Sequence, residues 1–421
     1  MSRALYTLLL VLYVPWILIK LIRRGFRDHS YWQRWGERFG FYSVKPLSGG
    51  VWLHAVSVGE VQAALPLIDQ LRNDYPQMPL VVTTMTPTGS ARVRAVYDQS
   101  LAHVYAPYDL PGPVRRFLDR FQPRLLLLME TEIWPNTISE CKRRGIKVIL
   151  ANARLSKRSM SGYRRISCLA RRTLQMIDTV AVQSKADADR FIALGADAAT
   201  MHVTGSIKLD IRLPASVREQ ADALRRSLGV NRAVWLAAST HPSEEELVLK
   251  AFAKVRTHSP DCLLVLVPRH PERGADVAAL CKAQTYSVRQ RSLNEPVEQD
   301  TAVYIADTLG ELLHFCAASD VVFMGGSFVP AGGHNMVEPA ALGVPVITGP
   351  SLFNFTEISE QLVQAGAMLV VREAPELAAA VIDLLRNANR RHAMGECGRG
   401  YVEQNRGALH KLLTHVKALL D

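Results

Sequence analysis

From residue 51 onward, short and almost wholly apolar segments alternate with longer stretches of helical period. The segments are VWLHAVS (51–57), PLVVTTM (79–85), HVYAPYD (103–109), RLLLLME (124–130), KVILANA (147–153), TVAVQ (179–183) and MHVTGS (201–206). Strands that are apolar on both faces must be covered on both faces, which antiparallel hairpins seldom achieve and parallel α/β sheets always do. GSIKLDIRLPASVREQ (205–220) breaks the rhythm, and it resumes with AVWLAAS (233–239), CLLVLVP (262–268), AVYIAD (302–307), DVVFMGG (320–326), VPVITG (344–349) and AMLVV (367–371). At 421 residues the chain exceeds one hydrophobic core. Two doubly wound, Rossmann-like α/β domains facing each other across a cleft are therefore expected. The boundaries predicted are 28–208 and 231–400 for the domains, 209–230 for a hinge, and 401–421 for a terminal helix able to pack on either half.

Residues 1–27 do not belong to that rhythm. LYTLLLVLYVPWILI (5–19) carries no charge, and Lys20, Arg23, Arg24 and Arg27 follow it. A signal peptide has its positive charge before the apolar stretch, so this order reads as a membrane anchor whose basic flank stays cytoplasmic. The uncharged stretch is short for a spanning helix, leaving a single-pass or an interfacial anchor open. SYWQRWGERFGFY (30–42) mixes aromatics with arginines and suits a headgroup interface or a core element. A formal charge of +11 points to an anionic partner. The basic residues lack the aromatic interleaving of single-strand binders, so no nucleic acid is expected. Scattered cysteines without a CxxC pair fit reduced thiols better than disulfides or zinc.

In open α/β sheets ligands sit at the carboxyl ends of strands. In the second half, Gly325, Gly326, Gly332 and Gly333 allow close backbone approach, and a helix starting near Asn335 would offer N–H groups to a phosphate. Glu338, three residues later, is a capping-box glutamate or a carboxylate for ribose hydroxyls. Pro268, Arg269 and His270 end another strand, where a guanidinium would bind phosphate or carboxylate. Leu309, Gly310 and Glu311 mark a helix start that could read a base edge, and Ser239 or Thr240 a helix cap. HExxH and GxxxxGK[ST] are absent from the sequence. Asp187 and Asp189, the one DxD, face different ways on a helix. No metal and no cofactor is expected.

The first half offers carboxylates at strand ends. Glu60 in HAVSVGE is either a charge favoured by a helix N-terminus or an ionised general base for a sugar hydroxyl. Glu130 in LLLLMETEIWPN ends an apolar strand in the same way, with Glu132 turning outward. Lys208, in TGSIKLD, could meet developing negative charge on a leaving group. TTMTPTGS (83–90) reads as an anion-binding loop or a plain turn. Arg154, Lys157, Arg158, Arg164 and Arg165 form a basic group that suits a solvated face, a membrane or an acidic acceptor.

In their order, HAVSVGE, TTMTPTGS, METEIWPN, NARLS, VTGSIKLD, STH, PRHPER, DTLGEL and GGHNMVEPAA resemble the 3-deoxy-D-manno-octulosonic acid (Kdo) transferases of lipid A assembly, over nearly the whole chain. The resemblance implies a GT-B fold and metal-independent, inverting transfer of Kdo from CMP-Kdo to lipid IVA, on the cytoplasmic side of an anionic inner membrane in lipopolysaccharide biosynthesis. It implies Glu60 as base, Glu130 and Lys208 as transition-state stabilisers, and CMP held by Pro268, Arg269, Leu309, Gly310, Glu311, Asn335, Met336, Val337 and Glu338. Met336 stands where many relatives have proline. The alternative is a GT-B enzyme using another nucleotide sugar, such as a UDP-sugar, on a membrane lipid.

Overall fold

The computed structural model describes residues 1–26, 28–211 and 213–421. Arg27 of the basic flank and Arg212 of the predicted hinge lie outside the described residues. The chain divides into one unit of residues 1–210 with 406–421 and a second of residues 211–405.

The first unit is built on a parallel sheet of β1 (Val51–His54), β2 (Leu80–Thr84), β3 (Ala102–Tyr105), β4 (Leu125–Met129), β5 (Lys147–Ala153), β6 (Thr179–Val182) and β7 (Met201–Val203). Their order is β3-β2-β1-β4-β5-β6-β7, so the winding reverses between β1 and β4. Successive side chains go to opposite faces. Val51 and Leu53 join Leu67, Ile68 and Leu71 on one side, while Trp52 meets Phe117 and Phe121 on the other. All are nearly inaccessible to water, and each stabilises the fold by roughly 1.5–3 kcal/mol through burial.

The second unit carries β8 (Val234–Thr240), β9 (Leu263–Pro268), β10 (Val288–Gln290), β11 (Val303–Ile305), β12 (Val321–Met324), β13 (Val346–Thr348) and β14 (Met368–Val370). The order β10-β11-β9-β8-β12-β13-β14, again parallel, reverses between β8 and β12. The edge strand β10 is absent from the sequence reading. Its residues are only half-buried, so no continuous apolar run marks it.

The ends of the units also depart from expectation. Val217–Leu228, inside the predicted hinge, is a helix of the second unit. It buries Val217, Ala221 and Leu228, and Arg225 bonds Ala318 O at 2.9 Å and Asp320 at 3.1 Å. The predicted terminal helix over 401–421 is broken. One helix ends at Gln404, Gly407 takes φ +95°, and Ala408–Leu420 packs Leu412, Val416 and Leu420 into the first unit's core. The chain returns where it left: the Asp210 carboxylate accepts from the N–H groups of Gly407 and Leu409.

The apolar N-terminal helix is longer than its uncharged stretch. Arg3–Gly25 forms one helix of 23 residues, about 35 Å at 1.5 Å per residue, long and apolar enough to cross a bilayer. Leu8, Leu12 and Trp16 are exposed on it. Near its start, however, Tyr6 Oη donates to Asp109 at 3.0 Å and Thr7 Oγ1 to Asn136 at 3.1 Å. Near its end Trp32 Nε1 donates to Ile22 O at 3.3 Å. The aromatic segment that follows is largely structural. Arg38 is buried with its guanidinium 4.2 Å from the Tyr105 ring centre, and Glu37 accepts the Tyr105 N–H at 2.7 Å.

Candidate functional site

In both units the carboxyl-end loops at the reversal point carry the unusual chemistry. In the first unit those loops follow β1 and β4. Ser57 caps the helix Val58–Asp74, and Glu60 sits in its first turn. One Glu60 oxygen accepts the Val56 N–H at 2.8 Å and the other the Ser57 hydroxyl at 2.9 Å. The capping role is therefore realised, yet these bonds leave two of four lone-pair positions for another donor. Burial, then the charge of Glu130, push the Glu60 carboxyl up to about 7. This corrects the expectation that the helix N-terminus keeps it ionised: near neutrality it is poised between its two forms.

Glu130 follows β4 in a left-handed conformation, φ +56°, which costs a non-glycine residue of order 1 kcal/mol or more. Cations hold both its oxygens, Lys208 Nζ at 3.0 Å and Arg154 Nε at 2.9 Å. Lys208 rides on the short turn Ile207–Leu209, which is fixed when Ile207 N–H donates to Asn152 Oδ1 at 3.1 Å. Asn152 is wholly buried and itself left-handed, φ +53°. The NARLS motif alone does not give Asn152 this part. Asn152 lies inside β5, where the register with β6 shifts between Leu150 and Ala153, and a small amide that tolerates the left-handed region was the available signal.

Glu132 does not turn outward. Burial, followed by the Glu60 charge, pushes its carboxyl up to about 8, and it acts in turn on the half-buried Tyr163 phenol. Thr86 of TTMTPTGS caps its own helix through Gly89 N–H at 3.2 Å, in keeping with the turn reading. Asp187 is used locally, accepting Leu155 N–H at 2.8 Å and the Ser184 hydroxyl at 2.6 Å, while Asp189 is exposed.

In the second unit every expected nucleotide residue lies at the sheet's carboxyl edge. Pro268 closes β9, and Arg269 N–H donates to Thr240 O at 2.9 Å. Leu309 and Gly310 are the exposed tip of a loop that Glu311 fastens by accepting from Arg291 at 2.8 Å and from the Thr308 hydroxyl. Asn335 Nδ2 donates to Glu338 Oε1 at 2.9 Å, and burial raises the Glu338 carboxyl. The helix expected at Asn335 is a correction: Val337–Ala341 is a single turn, and Asn335 Oδ1 already accepts the Val337 N–H at 3.1 Å. Its amides alone are a poor phosphate site. Met336 is fully buried.

Two features here went unread in the sequence. Glu244, fully buried, accepts N–H groups from Gly326 at 2.7 Å, Ser327 at 3.0 Å, Phe328 at 2.8 Å and His241 at 3.0 Å. It thus ties the β8 loop to the glycine loop after β12. Gly325 permits that approach, since a Cβ there would lie 2.6 Å from Ser239 O. His241 and His334 then meet, Nε2 to Nε2, at 2.8 Å. SEEELVLKAF has the composition of an ordinary acidic first turn, and nothing local distinguishes its buried Glu244 and Glu245 from its exposed Glu246.

Residues 33–211 match the family described as 3-deoxy-D-manno-octulosonic-acid transferase (kdotransferase), and residues 239–401 match the glycosyl transferases group 1. A 3-deoxy-D-manno-octulosonic acid transferase of Haemophilus influenzae is 41% identical over 424 residues, covering 100% of this chain and 99% of that protein. One from Bordetella pertussis is 36% identical, covering 98% of each. Among solved structures, UDP-GlcNAc 2-epimerase from Neisseria meningitidis bound to UDP-GlcNAc aligns with a TM-score of 0.57 at 14% identity, covering 87% of this chain and 100% of that one. Such a neighbour speaks for the GT-B type of fold alone.

Proposed function

Because this chain belongs to the 3-deoxy-D-manno-octulosonic acid (Kdo) transferase family and is a glycosyltransferase of lipopolysaccharide biosynthesis, we propose that it transfers Kdo from CMP-Kdo to a primary hydroxyl of lipid IVA, with inversion and without a metal. The observation that carries the mechanism is the Glu60 carboxyl, raised to about 7 beside a Glu130 braced by two cations. A base of that strength suits proton removal near neutral pH. Glu60 takes the acceptor proton as the hydroxyl oxygen attacks the ketosidic carbon. The bond from that carbon to the phosphate oxygen breaks, and its electron pair leaves with CMP. Glu130 orients Lys208 and Arg154, whose positive charge opposes charge developing on the reacting group. In the second unit Pro268, Arg269, Leu309 to Glu311 and Asn335 to Glu338 bind CMP.

The anchor supports an acceptor presented at a membrane surface. Near its start Arg3–Gly25 is bonded to Asp109 and Asn136 of the first unit, which favours a helix lying in the cytoplasmic interface over one that leads away across the bilayer. Exposed Arg158, Arg164 and Arg165 suit the anionic headgroups and the acidic acceptor.

Incubating the protein with CMP-Kdo and lipid IVA in EDTA-treated vesicles, followed by mass spectrometry of the lipid, tests the reading. A Kdo adduct is expected; CMP release without a lipid product would refute the acceptor, and a requirement for added metal would refute metal independence.

A further inference from the structure

The His241–His334 pair plays no part in the mechanism above, and its geometry is unusual. Nitrogens 2.8 Å apart cannot both present lone pairs, so one ring donates an Nε2–H and the other accepts it. The rings are parallel to within 3°. Their position is built. Glu244 holds the His241 backbone and the glycine loop together, and Gly326, at φ +67°, leaves space that a Cβ would take from His334, 2.8 Å away. The groups acting on the pair are Arg269 and His270 beyond β9, and Glu244 and Glu245 at the start of the helix that follows β8. Glu244 is engaged by four N–H groups and Glu245 by Arg273 at 2.8 Å, while His270 lies 3.6 Å from Glu272. Burial, with Arg269 and His270 nearby, lowers both imidazoles, His334 to about 4. Without an anion the pair is therefore neutral at pH 7.

Resting on the reading of this edge as a CMP site, we infer that His241 and His334 form a proton-accepting phosphate contact, which takes up one proton when the nucleotide phosphate arrives. An anion beside the pair reverses the local field, and the shared N–H···N arrangement becomes a cation with outward N–H donors. It replaces what the single-turn helix at Val337 cannot supply. The role also matches the chemistry: CMP leaves as a phosphomonoester with one more charge than the diester it came from, and a proton on the pair offsets that charge.

Calorimetry of CMP binding to the full-length protein at pH 7.5, in buffers of different ionisation enthalpy, counts the protons. At that pH the monoester has already lost its second proton, with pKa about 6, and binding beside cations can only make it release more. Uptake of about half a proton or more per CMP is expected, none with cytidine, and none in His241→Gln or His334→Gln. Each variant should bind CMP about tenfold more weakly than the native protein at pH 6.5 and equally at pH 8.5. CMP binding without uptake, or a loss in the variants that is the same at every pH, overturns the inference while leaving the CMP site standing. Failure of CMP to bind at all overturns both.

Discussion

The two units repeat one architecture and line it with opposite kinds of titratable group, acids in the first and bases in the second. At the reversal point of the first sheet, Glu60, Glu130 and Glu132 crowd together, and the carboxyls of Glu60 and Glu132 are driven up. At the matching point of the second, His241, His334 and His270 gather beside Arg269, and the imidazoles of His241 and His334 are driven down. On the proposed mechanism, the same low-dielectric strand edge serves proton removal in one unit and anion binding in the other. The architecture decides where chemistry can occur, and the sign of the side chains decides which chemistry.

That contrast can be broken from either side. The largest effect is expected for Glu60→Gln, which keeps the capping geometry and removes the base: turnover should fall roughly 10²–10⁴-fold while CMP affinity is unchanged. An active Gln variant in a single-turnover assay would end the general-base assignment. For the native protein the rate should climb about tenfold per pH unit below 7 and level off above it, because the unprotonated form of Glu60 is the one that works. A flat profile from pH 5 to 8 would contradict this.

On the second side, Glu244→Ala strands four N–H groups that are bonded in the native protein, at a cost of about 3–5 kcal/mol. Urea denaturation should show that loss confined to the second unit's transition, and CMP binding should go with it. Undiminished stability would mean the loop does not depend on this carboxylate.

A smaller effect of opposite sign belongs to Glu132. Its folded value, about 8, exceeds its ordinary 4.5, so the native state holds more protons than the unfolded chain between those limits. Stability is lost as pH rises through that window. Glu132→Gln should therefore be more stable than the native protein by up to about 4 kcal/mol at pH 8.5, with no advantage at pH 4. Smallest is Arg291→Ala, which frees the half-exposed Glu311 at the loop tip and should cost under about 1 kcal/mol in CMP affinity. A tenfold loss would mean Arg291 reaches the nucleotide itself.

Much of the site was legible because it lies where strands stop. Glu60, Glu130, Arg269 and the glycines after β12 follow unmistakable apolar runs, and parallel topology sends all such ends to one edge. The partnerships were not legible. Lys208 and Arg154 converge on Glu130 from 78 and 24 residues away, and Glu244 reaches Gly326 across 82. A residue's own window carries no trace of a neighbour that distant.

The amino-acid order alone determined two parallel α/β units, an apolar N-terminal helix and the loops that matter, because strand and helix periods are local and burial enforces them. Tertiary structure decided protonation. Whether Glu60 is charged, whether Glu132 faces water and whether two histidines share a proton depend on the dielectric and the charges within a few ångströms, and only the folded chain brings those together.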